Sequence, residues 1–361
     1  MEKEVKEVNR TRALFKLISL IYAFIFSIEL TKKASLLLAP DLNNFILGGL
    51  TPLKSVAVGW FVTMIVRSSS AVGSIAAAFV GNNILTLQKA VFILIGASVG
   101  TTITALILSL ITVAKKRRDF RHGFEIGLCY AIYSLLLAVI AFFLEYFFKL
   151  FSRLSLLLAS GFGEKIALLK VPNLVGVVTA PIIDFLFADS SRFFMFAVGF
   201  LILIFTLNYL GKVIIEVLGG EEKARRFINR YFDSKYKSYF IGILLTAVVF
   251  SSSITIGLLV PLAVARLINL KKAIPFILGA RLGTFTDIFL ASIIIGKTPA
   301  LAVALAYLLF GVLGSLIFLP NTEFLFNITK YSSKKLIHIS RKKAFYVLLA
   351  FILIPLLMIL F

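Results

Sequence analysis

Two identical serine triplets are the residues in this chain that are best placed to do chemistry. They are Ser68, Ser69 and Ser70, and then Ser251, Ser252 and Ser253. A helix broken at such a triplet presents hydroxyls and free backbone N–H groups, and the helix that follows points its positive end at the break, which suits an anion. The helix before the break ends in unpaired carbonyls, which suit a cation such as sodium. Each triplet is therefore a candidate site for an oxyanion with cations beside it.

The triplets lie in two copies of one sequence. Residues 59–104 align without a gap with residues 242–287 at a constant offset of 183, and thirteen of the 46 positions are identical. An internal duplication in a very apolar chain is typical of transporters built from two repeats, with the substrate site where the repeats meet. A less specific interpretation is that serine triplets only allow close packing of membrane helices. Two triplets at matched positions favour a site.

Small residues and threonines follow each triplet. Gly96-Ala-Ser-Val-Gly-Thr101 matches Gly279-Ala-Arg-Leu-Gly-Thr284. Glycines four residues apart let another backbone approach closely, so packing is the default interpretation of these runs. The hydroxyls of Thr101, Thr102 and Thr284 add candidates for cation binding or coupling, with sodium as the metal that the serine and threonine oxygens would hold.

Three of the charged residues in the duplicated segments lie beside or within the serine and glycine motifs or shortly after them. Arg67 precedes the first triplet, Arg281 lies inside the second glycine run, and Asp287 follows six residues later. An unpaired charge in a membrane is costly, so these residues are functional candidates. Arginine binds oxyanions through a planar fork of donors, which predicts substrate binding by Arg67 and Arg281. Asp287 is expected to pair with an arginine or to take part in ion coupling. The alternative is an arginine whose side chain reaches the membrane interface.

The composition indicates an all-α polytopic membrane protein. The 361 residues are 60% hydrophobic with a mean hydropathy of +1.01, well above soluble domains. The single cysteine, Cys129, excludes an internal disulfide, and His122 and His338 are predicted in basic loops. With no histidine, cysteine or carboxylate pair beside the serines, we expect no enzyme activity and no cofactor other than Na⁺ as a coupling ion.

Basic residues fix the expected topology. Of the 38 lysines and arginines, 21 fall in four clusters, at 1–12, 115–121, 220–237 and 330–343. Such clusters beside apolar spans mark cytoplasmic loops and attract anionic lipids, which disfavours nucleic acid as the partner. The predicted spans are 13–30, 88–113, 124–148, 193–218, 271–295, 299–320 and 344–361. Their directions give two inverted repeats, each with a re-entrant helical hairpin, because the segments around the triplets are too short to span. One tilted spanning helix per segment is the alternative.

These spans divide the chain into five parts. They are a cytoplasmic N-terminus at 1–12, a first repeat at 13–148 with its hairpin at 55–81, a connecting segment at 149–192, a second repeat at 193–320 with its hairpin at 238–265, and a basic loop with a C-terminal transmembrane helix at 321–361. The connecting segment is predicted to hold one or two helices. Glu125 and Glu145 lie near span ends and are expected at the interface.

At these motifs the chain resembles the type II sodium-dependent phosphate cotransporters and their bacterial relatives. Their paired Gln-Ser-Ser-Ser-Ala and Gly-Ala-Asn-Ile-Gly-Thr-Thr segments correspond here to RSSSA (67–71) with GASVGTT (96–102), and to FSSSI (250–254) with GARLGTF (279–285). The resemblance implies that the serine stretches bind phosphate and sodium. Arg67 and Phe250 replace the family glutamines, and Ser98 and Arg281 replace the asparagines. We therefore hypothesise that the arginines stand in for bound cations and weaken sodium dependence.

The expected function is a secondary transporter for inorganic phosphate or a related oxyanion, working by alternating access. The alternatives are a transporter of the same fold for another anion, such as a phosphorylated lipid or an organic anion, and a membrane scaffold or sensor that transports nothing. The expected setting is the cell membrane, with many crossings, a cytoplasmic N-terminus and lipids as partners. A homodimer is left open.

Overall fold

A computed structural model describes residues 12–23, 26–27, 30, 33–34, 49–111, 117–168, 181–185, 191–217, 232, 234–257, 259–264, 268–337 and 341–360. These residues are helical apart from short connections, and no strand occurs among them. The first helices are α1 Pro52–Val66, α2 Ser69–Gly81, α3 Leu87–Gly100, α4 Ile103–Ile111, α5 Arg117–Phe148, α6 Leu150–Leu168 and α7 Arg192–Val217. The later ones are α8 Lys235–Val249, α9 Ser252–Gly257, α10 Leu259–Val264, α11 Leu270–Gly283, α12 Phe285–Ile295, α13 Thr298–Phe318, α14 Thr322–Ile337 and α15 Arg341–Leu360.

Four helical stretches are long and apolar enough to cross a membrane. They are Leu87–Ile107, Arg121–Phe148, Leu270–Ile295 and Thr298–Phe318, and they coincide with the spans predicted at 88–113, 124–148, 271–295 and 299–320. The described apolar stretches in α7 and α15 are shorter, at Arg192–Ile202 and Tyr346–Leu360. The prediction of an all-α polytopic membrane protein is confirmed. The opposite orientation of the two repeats stays a prediction.

The duplicated segments fold alike. Helix α3 and helix α11 have bounds that differ by the sequence offset of 183, and each packs most extensively on the first helix of its own copy, α1 or α8. A methyl group added to Gly96 would overlap the carbonyl oxygen of Val56, and one added to Gly279 would overlap that of Tyr239. The glycines therefore allow backbone contact at matched places in both copies, as the sequence predicts.

Helices α1 and α3 run side by side in the same direction. Gly96 lies against the backbone of Val56 and Trp60, whereas Gly100, one turn later, lies against Trp60 and Met64. Helix α2 joins the end of α1 to the start of α3, so it must run back along them. That is the course of a helical hairpin, and its entry from one face of the membrane stays a prediction.

Each copy breaks its helix at the residue before the serine triplet. Arg67 has a φ of 60° and Phe250 a φ of 53°, so both lie in the left-handed region. The Arg67 N–H donates to the Thr63 carbonyl at 2.6 Å, and the Phe250 N–H donates to the Thr246 carbonyl at 2.8 Å. This is a left-handed helix cap, which usually requires glycine. Keeping it at two residues with side chains costs on the order of 1–2 kcal/mol each, which favours a functional reason for the breaks.

The helix after each break packs on the other half of the chain. Helix α2 packs against α12 and α13, and the short helices α9 and α10 pack against α4 and α5. The residues that follow the two triplets are therefore buried at the contact between the halves. The largest apolar core surrounds this contact and includes side chains of α3, α5, α11 and α13.

The connecting segment at 149–192, predicted to hold one or two helices, contains helix α6, and residues 169–180 and 186–190 lie outside the described part. Predictions about two loops differ from the structure. Helix α14 covers most of the basic loop predicted after residue 321. His122 lies in α5 and not in a loop, while His338 is outside the described residues.

The two glutamates expected at the interface are buried instead, because each has partners. Glu125 is 1% exposed and accepts from Arg121 at 3.0 Å and from Lys330 of α14 at 2.6 Å. Glu145 accepts from the backbone N–H groups of Phe151 and Ser152 at the start of α6.

Candidate functional site

Arg281 is the central residue of the candidate site. It lies in the last turn of α11 and is 1% exposed. Its guanidinium stacks on two aromatic rings of α13, with Cζ 4.9 Å from the centroid of Tyr307 and 5.8 Å from that of Phe310. Its Nη1 donates to the Tyr307 hydroxyl. The structure buries this arginine of the second glycine run, and its role in substrate binding stays a prediction.

Two of the three guanidinium nitrogens have no partner in the part of the chain that the structure describes. Nε and Nη2 are buried and make no hydrogen bond with any described residue. Removing one partner of a buried charge costs about 3–5 kcal/mol, so proteins rarely leave such donors open without a ligand. A planar pair of open N–H donors is the arrangement that binds two oxygens of one oxyanion.

Two tyrosines connect Arg281 with both serine triplets. The Tyr307 hydroxyl donates to Ser69 Oγ at 3.1 Å. The Tyr130 hydroxyl of α5 approaches both Ser252 and Arg281, although it completes no hydrogen bond with a described residue. Ser69 and Ser252 are equivalent positions of the two copies, at the offset of 183. Tyr307 thus links Arg281 to the middle serine of the first triplet, and the Tyr130 hydroxyl lies near the middle serine of the second.

Asp287 forms a second buried polar centre next to the first triplet. Its side chain is 0% exposed and approaches Ser70. One carboxylate oxygen, Oδ1, lies 3.4 Å from Thr286 Oγ1, and the other, Oδ2, has no partner among the described residues. Neither Arg67 nor the open donors of Arg281 bond to this carboxylate in the structure, and the alternative of ion coupling by Asp287 stays a prediction. Oxygen ligands without a proton donor suit a hard cation.

Arg67 does not join Arg281 in the buried cluster. Its side chain is exposed, and its Nε lies 3.4 Å from Thr104 Oγ1 of α4. The left-handed backbone at Arg67 directs the side chain away from the course of the helix, which the sequence could not show. The neighbouring Ser68 is the N-cap of α2, since its Oγ accepts a hydrogen bond from the Ala71 N–H at 3.2 Å.

The threonines predicted to bind cations use their hydroxyls on their own helices. Thr101 donates to the Ala97 carbonyl at 2.9 Å, Thr102 to that of Val99 at 2.8 Å, and Thr284 to that of Ala280 at 3.1 Å. Their oxygens keep a free lone pair. Ser253 is buried next to Ser252, whereas Ser251 is half-buried at the break.

Sequence reasoning missed Tyr130 and Tyr307. They lie on α5 and α13, outside the 46-residue alignment, and are 177 residues apart and not 183. A tyrosine in an apolar helix needs a hydrogen-bond partner for its hydroxyl, so the sequence could have indicated that these two tyrosines contact polar residues. The indication is weak, because Tyr133 on α5 is buried as well.

The cavity and the metal-ligating residue types elsewhere in the described chain do not provide an alternative anion site. A cavity of about 390 Å³ lies between α1, α2, α3 and α7, but only apolar side chains and Gly59 line it. Within the described part of the chain, no group of three or more His, Cys, Asp or Glu side chains could hold a metal ion. Cys129 is buried and unpaired by any disulfide.

Known proteins resemble the chain over most of its length. Sodium-dependent phosphate transport protein 2A of sheep is 23% identical over 425 residues, covering 94% of this chain and 66% of that protein. Sodium-dependent phosphate transport protein 2B of human is 23% identical over 448 residues, covering 95% of this chain and 64% of that protein. The uncharacterized protein YqeW of Bacillus subtilis is 32% identical over 128 residues, covering 34% of this chain and 41% of its own.

The two transport proteins are longer than this chain, which spans just under two thirds of each. No solved structure matches the chain. The family comparison covers the two duplicated halves together, since the Na⁺/Pi-cotransporter family matches residues 23–169 and 202–331. On this match the chain belongs to the Na⁺/Pi-cotransporter family.

Proposed function

We propose that the chain is a secondary transporter that moves inorganic phosphate or a related oxyanion across the cell membrane. One observation carries the proposal. The buried guanidinium of Arg281 has two open donors, and its third nitrogen donates to Tyr307, which in turn donates to Ser69 of the first serine triplet. The names of the sheep and human relatives, sodium-dependent phosphate transport proteins, agree with it.

The anion would occupy the space in front of Nε and Nη2 of Arg281. Ser69 and Ser252 reach this space from opposite halves of the chain, and the helices that begin at the triplets add the positive ends of their dipoles. Ser68, Ser70, Ser251 and Ser253 shape the two breaks. Arg67, exposed at the first break, would attract the anion from solution without touching it in the buried position.

A coupling cation would bind on the other side of the first triplet. Asp287 presents an unpartnered carboxylate oxygen beside Ser70, and the hydroxyls of Thr101, Thr102 and Thr284 are further oxygen ligands. Because Arg281 already places one positive charge in the site, fewer bound cations are needed to balance the anion. We therefore expect sodium activation to be shallower than in relatives that lack this arginine.

Alternating access would use the contact between the halves. Helix α2 slides against α12 and α13 while α9 and α10 slide against α4 and α5, so both triplets move together relative to Arg281. The proposed setting is the cell membrane with the N-terminus in the cytoplasm, because of the basic clusters. Lipid partners and a homodimer stay predictions.

The decisive experiment is uptake of radiolabelled phosphate into proteoliposomes, with an inward sodium gradient and with choline in place of sodium. Uptake that requires sodium supports cation coupling, and equal uptake in both supports a carrier that is independent of sodium. No uptake by folded protein would refute phosphate as the substrate and leave another anion or a role without transport.

A double variant, Ser69→Ala with Ser252→Ala, tests the site itself and should abolish uptake. The matched control is Ser109→Ala with Ser292→Ala. Both control serines are 1% exposed and donate to carbonyls of their own helices at 2.7 Å, away from Arg281. Equal loss in both double variants would contradict the assignment of the site.

A further inference from the structure

We propose that Tyr130 and Tyr307 are positioning residues that hold the guanidinium of Arg281 between the two serine triplets. The inference rests on the proposed function, since it concerns how the same site binds its anion. Each tyrosine would connect Arg281 with the triplet of one copy, Tyr307 through Ser69 and Tyr130 through Ser252.

Arg281 is a buried cation whose described polar contacts include no carboxylate. A buried arginine is normally held by a carboxylate, which fixes the plane of its guanidinium. Here the described contacts of its polar atoms are with tyrosine: Nη1 donates to Tyr307, and Tyr130 lies within reach. Neutral hydroxyls orient the cation without neutralising it, so its full charge stays available to an anion.

The Tyr307 hydroxyl makes one hydrogen bond as acceptor and one as donor. The Tyr307 hydroxyl accepts from Arg281 and donates its single proton to Ser69 Oγ. Because the serine oxygen accepts this proton, the serine hydroxyl is free to donate elsewhere, toward an anion. Tyr307 therefore sets the position of the arginine and the direction of the serine donor at the same time.

The two tyrosines lie on corresponding helices of the two halves. Tyr307 on α13 donates to Ser69 of the first triplet, whereas Tyr130 on α5 approaches Ser252 of the second without completing a hydrogen bond. Helices α5 and α13 each follow one span after a glycine run. The first break is thus tied to Arg281 through Tyr307, and Tyr130 is placed to play the same part at the second break.

The test uses Tyr307→Phe and Tyr130→Phe, which keep both rings and remove only the hydroxyls. Phosphate uptake into proteoliposomes gives the apparent KM and the maximal rate. We expect Tyr307→Phe to raise KM about tenfold and Tyr130→Phe somewhat less, as for loss of a hydrogen bond to a charged group. The maximal rate should stay within about twofold, because these residues position the binding group.

Tyr239→Phe is the matched control. Tyr239 is buried on α8, and its hydroxyl donates to Ser315 Oγ at 2.8 Å, which is the same kind of bond away from the described contacts of Arg281. Its KM should equal that of the wild type. A rise of KM in all three variants would reduce the effect to loss of packing and overturn the inference.

Coupling between variants adds a readout that a merely structural role would not move. Tyr307→Phe should cost much less in a Ser69→Ala background than in the wild type, and it should keep its full cost in a Ser252→Ala background. Equal costs in the two backgrounds would overturn the inference. Wild-type protein without phosphate uptake would end the proposed function, whereas normal uptake with KM unchanged in both Phe variants would end only this inference.

Discussion

The two copies of the duplicated segment, residues 59–104 and 242–287, share a backbone and differ in charge. Both break the helix at a left-handed residue, Arg67 or Phe250, and both place glycines against a carbonyl of the first helix of the copy. The first copy has its arginine exposed at the break and neutral residues inside. The second copy has an apolar residue at the break and its charges inside, at Arg281 and Asp287.

The difference in charge between the copies is clearest at positions related by the offset of 183 residues. Ser98 of the first copy aligns with Arg281, and its hydroxyl is satisfied by the Ile95 carbonyl of its own helix at 2.7 Å. Thr104 aligns with Asp287 and lies beside Arg67. The duplicated scaffold has therefore kept the geometry of two sites, while only the second copy supplies the buried charges.

The strongest test of the difference between the copies is to replace Arg281 of the second copy with serine, the equivalent residue of the first copy. Arg281→Ser should weaken phosphate binding by about a hundredfold, on the order of 2.7 kcal/mol, because it removes a charged fork of donors. Binding of radiolabelled phosphate to purified protein measures the effect. The control is Ser98→Ala, at the equivalent position of the first copy, which should leave phosphate affinity unchanged. Loss of phosphate affinity in Ser98→Ala would mean that both copies bind the anion.

The shared backbone predicts equal effects in the two copies. Gly96→Ala and Gly279→Ala each place a methyl group on a carbonyl oxygen, of Val56 or of Tyr239. Overpacking of this kind costs about 2 kcal/mol, so both variants should lower the thermal unfolding midpoint in detergent by similar amounts. Gly161→Ala meets nothing within 4 Å and should leave the midpoint unchanged. A loss in only one copy would show that the packing is not duplicated.

The sequence predicts the scaffold better than the chemistry, and particular residues show why. Gly96, Gly279 and the triplets recur at a fixed offset, so one copy supports the interpretation of the other. Tyr130 and Tyr307 lie outside the aligned segments, and only folding brings their hydroxyls to the serines. The exposure of Arg67 depends on a left-handed backbone that arginine rarely adopts, and no sequence pattern indicates it.

The burial of Glu125 was missed for a similar reason. Lys330 follows it by 205 residues and meets it only because α14 packs on α5. A pattern of charges near a span end looks the same whether the carboxylate faces water or a distant lysine. Long-range partners of this kind are decided by tertiary packing, and a single sequence does not show them.

Asp287 allows a test of the second internal charge. Asp287→Thr installs the residue of the first copy and removes the carboxylate beside Ser70. We expect the sodium concentration for half-maximal phosphate uptake to rise about tenfold, since an ionic ligand is replaced by a neutral one and sodium binds more weakly. Phosphate affinity at saturating sodium should stay within about threefold. An unchanged sodium activation curve would assign the coupling cation to another place.

The smallest effect is expected at the break of the first copy. Arg67 is exposed, so Arg67→Gln should slow uptake by only about twofold to threefold at low salt, and the difference should vanish as the ionic strength rises, because exposed charges are screened. Initial uptake rates at two salt concentrations measure this, with Phe250→Gln as the matched change at the second break, where no charge is lost. A tenfold loss for Arg67→Gln that persists at high salt would place this arginine on the anion and make the two copies chemically alike.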